Sequence, residues 1–244
     1  WGEAYAYGAK AYEGNEVAKR EINELNKKIY GRSEETINQL YNEGRQTSIN
    51  YFETIYKRLG TKFDYYFFES ESGPVGQKLV AENIGKIFEE SDGAIVFKGE
   101  QYGLHTRVFV NSGGLPTYEA KELGLAKLKF EQYPHDQSIV ITGNEVMSYF
   151  TVVKKALELI FPDLAKITKH LPHGMLRLPT GKMSSRTGKV ITAESLLAEV
   201  KTAVSKKIAD RNFKTEERET VTEAVAISAI KYSILKQAPG RDII

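Results

Sequence analysis

The sequence predicts an α/β fold: a parallel sheet with crossover helices, flanked by helical segments at both ends. Three observations predict it. Between residues 63 and 191, short β-rich runs alternate with amphipathic helical stretches, the order that builds a parallel sheet. Residues 1–62 read as long, polar-backed helices. Residues 192–244 turn helical again and carry no repeat or low-complexity tract. The expected division is therefore 1–62, 63–191 and 192–244.

Trp1–Tyr30 is rich in Ala and Tyr early and in Glu, Lys and Asn later, and reads as helical. Gly31 separates it from a second helix capped by Ser33, with Glu34 and Glu35 in its first turn, where carboxylates complement the helix dipole. Ile37, Leu40, Tyr41, Ser48, Phe52, Ile55 and Leu59 fall on one face, and Gly60 supplies the stop. Phe63–Phe68 is a β-rich run, and Gly73–Phe88 an amphipathic helix with Val75, Leu79, Val80, Ile84 and Ile87 inward. Ala94–Phe97 and Thr106–Val110 read as strands on either side of a Gly-rich turn. A helix from Thr117, a strand Ser138–Thr142, a helix Glu145–Ile160 and a strand near Met175–Leu178 continue the alternation. A helix from Thr192 follows, then a last helix with Val221, Val225, Tyr232 and Leu235 on one face, stopped by Pro239-Gly240. Ligands of parallel sheets sit beyond the carboxyl ends of the strands. Asn144, the start of the Thr117 helix and the loop around Lys182 are therefore expected to converge.

Composition narrows the function classes. The 244 residues suit one large domain or one domain with an appendage. With 41% hydrophobic and 27% charged residues, the chain is ordinary for a soluble globular protein. It has no cysteine, which excludes disulfides and thiolate metal sites and leads to the expectation of a cytoplasmic protein. His105, His135, His170 and His173 lack metal-ligand spacing, so no metal site is expected. No apolar run reaches the roughly 18–20 residues of a membrane span, and no secretory signal opens the chain. A net charge of +2 is too small to argue for a nucleic-acid partner.

Three stretches carry chemistry. Leu178–Val190 contains Gly181 and Gly188, the hydroxyls of Ser184, Ser185 and Thr187, and the cations Lys182, Arg186 and Lys189. Glycines let a loop present backbone N–H groups, and cations and hydroxyls add donors for a polyphosphate; by composition it is equally a solvated lysine-rich loop. In Gly114–Gly124, a cap at Thr117 would set Tyr118 and Glu122 four residues apart on one helix face. A carboxylate beside a phenol suits a guanidinium, although a solvated Glu and a half-buried Tyr give the same pattern. Ile139–Glu145 ends a strand in Thr-Gly-Asn, so Asn144 either binds a ligand amine or hydroxyl, or caps the next helix.

Together these stretches resemble the class I arginyl-tRNA synthetases. Lys182-Met-Ser-Ser-Arg186 is similar to the Lys-Met-Ser-Lys-Ser loop of class I enzymes, and His173–Leu178 followed by Lys182–Gly188 resembles the arginyl version. Tyr118 and Glu122 resemble that family's clamp on the arginine side chain, with Glu where Asp is commoner. The family's second loop lysine falls on Ser185, with Arg186 one place later; Val146 and Tyr149 stand where Gln and His are common. The resemblance implies a Rossmann-type parallel sheet, the second half of a synthetase catalytic domain, with a helical insertion before it and C-terminal helices after it. It implies an enzyme that uses ATP and Mg²⁺ to activate L-arginine and transfers it to tRNA(Arg), the full-length enzyme being monomeric. The resemblance assigns Lys182, Ser184, Ser185 and Arg186 to catalysis. It assigns His173, Gly174, Met175 and Leu176, with Lys182 and Arg186, to ATP, and Tyr118, Glu122 and Asn144 to arginine. The family's His-Ile-Gly-His element has no match here, and the matches stop where an anticodon-binding domain would begin. The expectation is a central piece of the enzyme, prone to self-association at an open sheet edge. Two rivals remain: an inactive synthetase-like module that binds RNA or a partner, and a small-molecule adenylyltransferase.

Overall fold

A computed structural model describes residues 2–177 and 192–243. They fall into two units: residues 2–63, 176–177, 192–237 and 243 belong to one, and residues 64–175 with 238–242 to the other.

The first unit is helical. Asn15 ends α1 (Gly2–Gly14) and caps α2 (Glu16–Gly31), its side chain accepting from the Val17 and Ala18 amides. Arg32, in a left-handed conformation at φ 49°, closes α2. The cap of α3 (Glu35–Arg58) is Glu34, one residue beyond the expected Ser33. Gly60 follows its end at φ +66°, where a side chain would be strained. None of these helices buries a residue fully, and Leu40 and Phe52 of the expected inner face are exposed. Thr192 caps α8 (Ala193–Lys207) by accepting from the Ser195 amide. Leu197 of α8 and Thr222 and Ala226 of α9 (Thr215–Leu235) are buried. The face expected for α9 is corrected by this: Val225, Tyr232 and Leu235 are exposed. Arg58 grips Glu223 of α9 through Nε and, at 3.2 Å, through Nη2, and Lys201 of α8 reaches both Glu219 and Glu223.

The second unit holds the sheets. Helix α4 spans Glu69–Glu82, beginning before and ending earlier than expected. Strands β1 (Glu89–Ser91), β2 (Ala94–Phe97) and β3 (Arg107–Val110) form an antiparallel sheet in that order. This corrects the parallel reading of Ala94–Phe97 and Thr106–Val110: the link between β2 and β3 is too short for a crossover. Helix α5 (Tyr118–Gln132) follows, then β4 (Ser138–Gly143), a 3₁₀ turn at Asn144–Val146 and α6 (Met147–Ile160). Helix α7 (Pro162–Ile167) leads into β5 (Thr168–His173), which pairs parallel to β4 from Ser138↔Thr168 to Gly143↔His173. The expected α/β class with a parallel pair thus holds. The last strand among the described residues is Thr168–His173; residues 175–177 form none, Leu178 lies outside the described residues, and Phe63–Phe68 forms no strand. In place of strand pairing, Tyr65 stacks on Tyr133 with ring centroids 3.5 Å apart.

The core gathers Phe88, Phe97 and Phe109 with Leu79, Val80, Leu123, Val152 and Leu157. Helices α4 and α5 approach at backbone distance. A Cβ on Gly124 would lie 2.0 Å from the Ser72 carbonyl oxygen, and one on Gly76 1.8 Å from that of Ala120. Thus small residues fix where α5 sits. Ile139, Ile141 and Leu171, on the other face of the β4–β5 pair from Ser138, Val140 and Thr168, are exposed, unlike the two covered faces usual for parallel strands.

Candidate active site

The start of α5 is fastened to β3. The Thr117 hydroxyl donates to the carbonyls of Val108 and Phe109 at 2.7 and 3.1 Å, and the Thr117 amide donates to Phe109 at 2.9 Å. Thr117 therefore stands at the cap position without capping the helix through its side chain. Asn111 organises the preceding loop, its Oδ1 accepting from the amides of Gly113 and Leu115.

This anchoring sets a cluster of tyrosines and carboxylates. Tyr118 is 64% exposed, with the Lys121 ammonium 5.4 Å from its ring centre. Glu119, only 7% exposed, accepts from Arg107 Nε at 2.9 Å. The Arg107 guanidinium lies 5.6 Å from the ring centre of Tyr149 on α6. Burial pushes the Tyr149 phenol up to about 12, with Glu122, Glu119 and Tyr118 adding to the rise and Arg107 opposing it. Tyr149 is therefore a neutral donor at physiological pH. Glu122 lines a recess with Lys129, Ser138, Phe150, Lys154 and Thr168. Burial raises its pKa, Lys129 lowers it and Glu69 raises it further. Burial in turn pushes Lys129 down while Glu122 draws it back, and its ammonium donates to Ser138 Oγ at 3.1 Å.

A second group lies at the carboxyl ends of β4 and β5. Asn144 does not cap α6; its Nδ2 donates to the Gly240 carbonyl at 2.8 Å and to Asp242 Oδ1 at 3.1 Å. The same Asp242 oxygen accepts from the Met175 amide at 2.9 Å. His173 donates from Nδ1 to the Gly174 carbonyl at 2.8 Å. Gly174 is buried, and a Cβ there would lie 1.6 Å from the Arg241 carbonyl oxygen. Leu176 belongs to the other unit, where it bridges to Ile243. Lys182, Ser184, Ser185 and Arg186 lie outside the described residues.

The residues expected to bind therefore fall into two groups. Tyr118 and Glu122 both act electrostatically on Tyr149, and Asn144 joins Met175 through Asp242. Sequence reasoning passed over Arg107, Glu119 and Asp242. The adjacency of Glu119 to Tyr118 was the one available signal; nothing in the sequence pairs Arg107 with it or Asp242 with Met175. Among the described residues, no three His, Cys, Asp or Glu side chains gather as a metal centre, and no helix is long and apolar enough to cross a membrane.

The family model described as "tRNA synthetases class I (R), catalytic domain" matches residues 2–243. This chain belongs to the class I arginyl-tRNA synthetase family. Among its relatives, the arginine–tRNA ligase of Porphyromonas gingivalis is 30% identical over 88% of this chain and 37% of its own length. That of Parabacteroides distasonis is 32% identical over 79% of this chain and 33% of its own length. That of Bacteroides thetaiotaomicron is 33% identical over 76% of this chain and 32% of its own length. The chain thus spans about a third of these synthetases. Two solved arginyl-tRNA synthetases have the same fold. The Plasmodium falciparum structure gives a TM-score of 0.69 at 19% identity, over 94% of this chain and 38% of that one. The Thermus thermophilus structure gives 0.63 at 19% identity, over 98% and 50%.

Proposed function

We propose that this chain supplies the arginine-recognising and nucleotide-holding part of an arginine–tRNA ligase. The observation that carries this reading is the cluster at the start of α5, whose Glu119 and Tyr149 already hold one guanidinium, that of Arg107. Carboxylates and tyrosine faces are what a guanidinium requires. Glu122 and Tyr118 are the groups this reading assigns to the side chain of substrate arginine, with neutral Tyr149 offering its phenol oxygen as an acceptor.

In the first reaction, the arginine carboxylate attacks the α-phosphorus of ATP. An acyl–phosphate bond forms and pyrophosphate leaves. A hydroxyl of the terminal adenosine of tRNA(Arg) then attacks the acyl carbon: an ester bond forms, the acyl–phosphate bond breaks, and the phosphate of the departing AMP takes the hydroxyl proton. Lys182 and Arg186 are assigned to neutralise the leaving pyrophosphate, and Ser184 and Ser185 to donate to it, which is catalysis by preorganised charge. His173, Gly174, Met175 and Leu176 are assigned to the adenosine. Mg²⁺ suits the triphosphate oxygens and water rather than a protein cage; when bound, it would offset phosphate charge. No described side chain needs to act as an acid or base.

Calorimetric titration with L-arginine and with L-citrulline, its uncharged analogue, tests the assignment. Arginine is expected to bind at least about a hundredfold tighter, since a buried carboxylate rejects a ligand that leaves it unpaired. Glu122→Ala should abolish that preference. Equal binding of the two ligands contradicts the reading.

A further inference from the structure

We propose that Asp242 is a positioning residue for the nucleotide, a clasp that holds the corner after β5 in its binding conformation. This inference rests on the functional reading above, which gives His173–Met175 to the adenosine. The segment 238–242 is distant in sequence yet belongs to the same unit as β4 and β5. One carboxylate oxygen, Asp242 Oδ1, accepts from the Met175 amide after β5 at 2.9 Å and from the Asn144 side chain after β4 at 3.1 Å. It therefore ties together the two strand ends where ligands of parallel sheets bind.

The seat for this segment is built into the sequence on both sides. Gly174 leaves room for the Arg241 carbonyl, which stands where a Cβ would be. The second Asn144 N–H is spent on the Gly240 carbonyl at 2.8 Å. Gly143, at the end of β4, lies against Met175, whose Sδ would be 2.7 Å from a Cβ there. With His173 Nδ1 on the Gly174 carbonyl, the backbone of the corner is restrained at successive atoms. The charged acceptor is the one ionised member of this set, and hydrogen bonds to charged groups are the stronger class. Asn144 then serves the clasp rather than the arginine side chain.

The test compares wild type, Asp242→Ala and Asp242→Asn in the 244-residue chain by three readouts: dissociation constants for ATP, dissociation constants for arginine, and hydrogen exchange at the Met175 amide. Asp242→Ala is expected to raise exchange at Met175 and to weaken ATP about tenfold or more, as loss of a charge-assisted bond implies. Arginine affinity and exchange within α5 should stay within about twofold of wild type. Asp242→Asn keeps an acceptor oxygen and should restore part of the ATP affinity. A purely structural residue would move arginine and ATP together; that result, or unchanged ATP affinity in Asp242→Ala, overturns the proposal alone. A wild-type chain that binds arginine but not ATP overturns it together with the nucleotide half of the functional reading.

Discussion

Arg107 and Glu119 form an ion pair, Nε to Oε1 at 2.9 Å, in which the carboxylate is almost wholly buried and the guanidinium partly open to solvent. The pair neutralises one of the two carboxylates in the first turns of α5. Glu122 is left to Lys129, a weaker partner because its own ammonium is disfavoured by burial. Two acidic groups three residues apart thus have different roles set by their surroundings.

Removing Arg107 should therefore be costly. Arg107→Met leaves Glu119 buried without its cation, which in a fully buried pair costs about 3–5 kcal/mol. With Arg107 39% exposed, the expected loss is smaller, about 1–3 kcal/mol, read from urea denaturation. The Tyr149 titration should also move further up, since Arg107 is the group holding it down. Difference absorbance against Tyr149→Phe isolates that phenol.

Glu122 imposes a pH signature. Its carboxyl is raised by burial, so the folded state keeps its proton after the unfolded chain has lost it. The sign follows: stability is full below the ordinary carboxylate range and falls as pH rises through the raised value. Glu122→Gln should flatten this slope in the second unit while removing discrimination between arginine and citrulline. Thermal unfolding at a series of pH values from about 4 upward measures it.

Glu223 should act in the opposite sense in the first unit. Arg58, burial and Lys201 act on it, and the net effect depresses it to about 2. Its contribution is present above the unfolded carboxylate value and is lost as pH falls towards about 2. Arg58→Ala should loosen the α3–α9 contact at neutral pH and reduce that acid-side loss, leaving the part owed to Lys201. Amide exchange within α9, with and without the substitution, checks both expectations.

The α4–α5 approach gives a packing test. Gly124→Ala would set a methyl group 2.0 Å from the Ser72 carbonyl, so the helices must part, at a cost of about 1–3 kcal/mol. Gly8→Ala is the control: it meets nothing within 4 Å and should stabilise α1 by about 0.5–1 kcal/mol. Equal effects of the two substitutions would remove the argument that small residues locate α5.

These outcomes bear on what the sequence revealed. The α5, α6, α8 and α9 helices were legible as helices from their apolar spacing, although the face read for α9 is exposed, and β4 was legible because Ile139-Val-Ile-Thr142 is a β-branched run. β5 was not: Thr-Lys-His-Leu-Pro-His has little apolar content, and Pro172 is a poor strand former, so the strand was placed several residues later. Phe63–Phe68 failed for the reverse reason, since its aromatic residues suit a strand but are used for ring contacts. Tyr118 and Glu122 are proposed from their spacing on one helix together with the family resemblance. Arg107, Tyr149 and Asp242 depend on contacts between distant segments, which no local pattern encodes.

Arginine-dependent ATP–pyrophosphate exchange tests the central claim most directly. It should be measured with and without tRNA(Arg), on this chain and on the chain joined to an upstream His-Ile-Gly-His half. The account predicts exchange in the joined protein, dependent on arginine and lost on Glu122→Ala. No exchange in either form, with tRNA bound normally, would contradict it and identify the chain as a synthetase-like binding module.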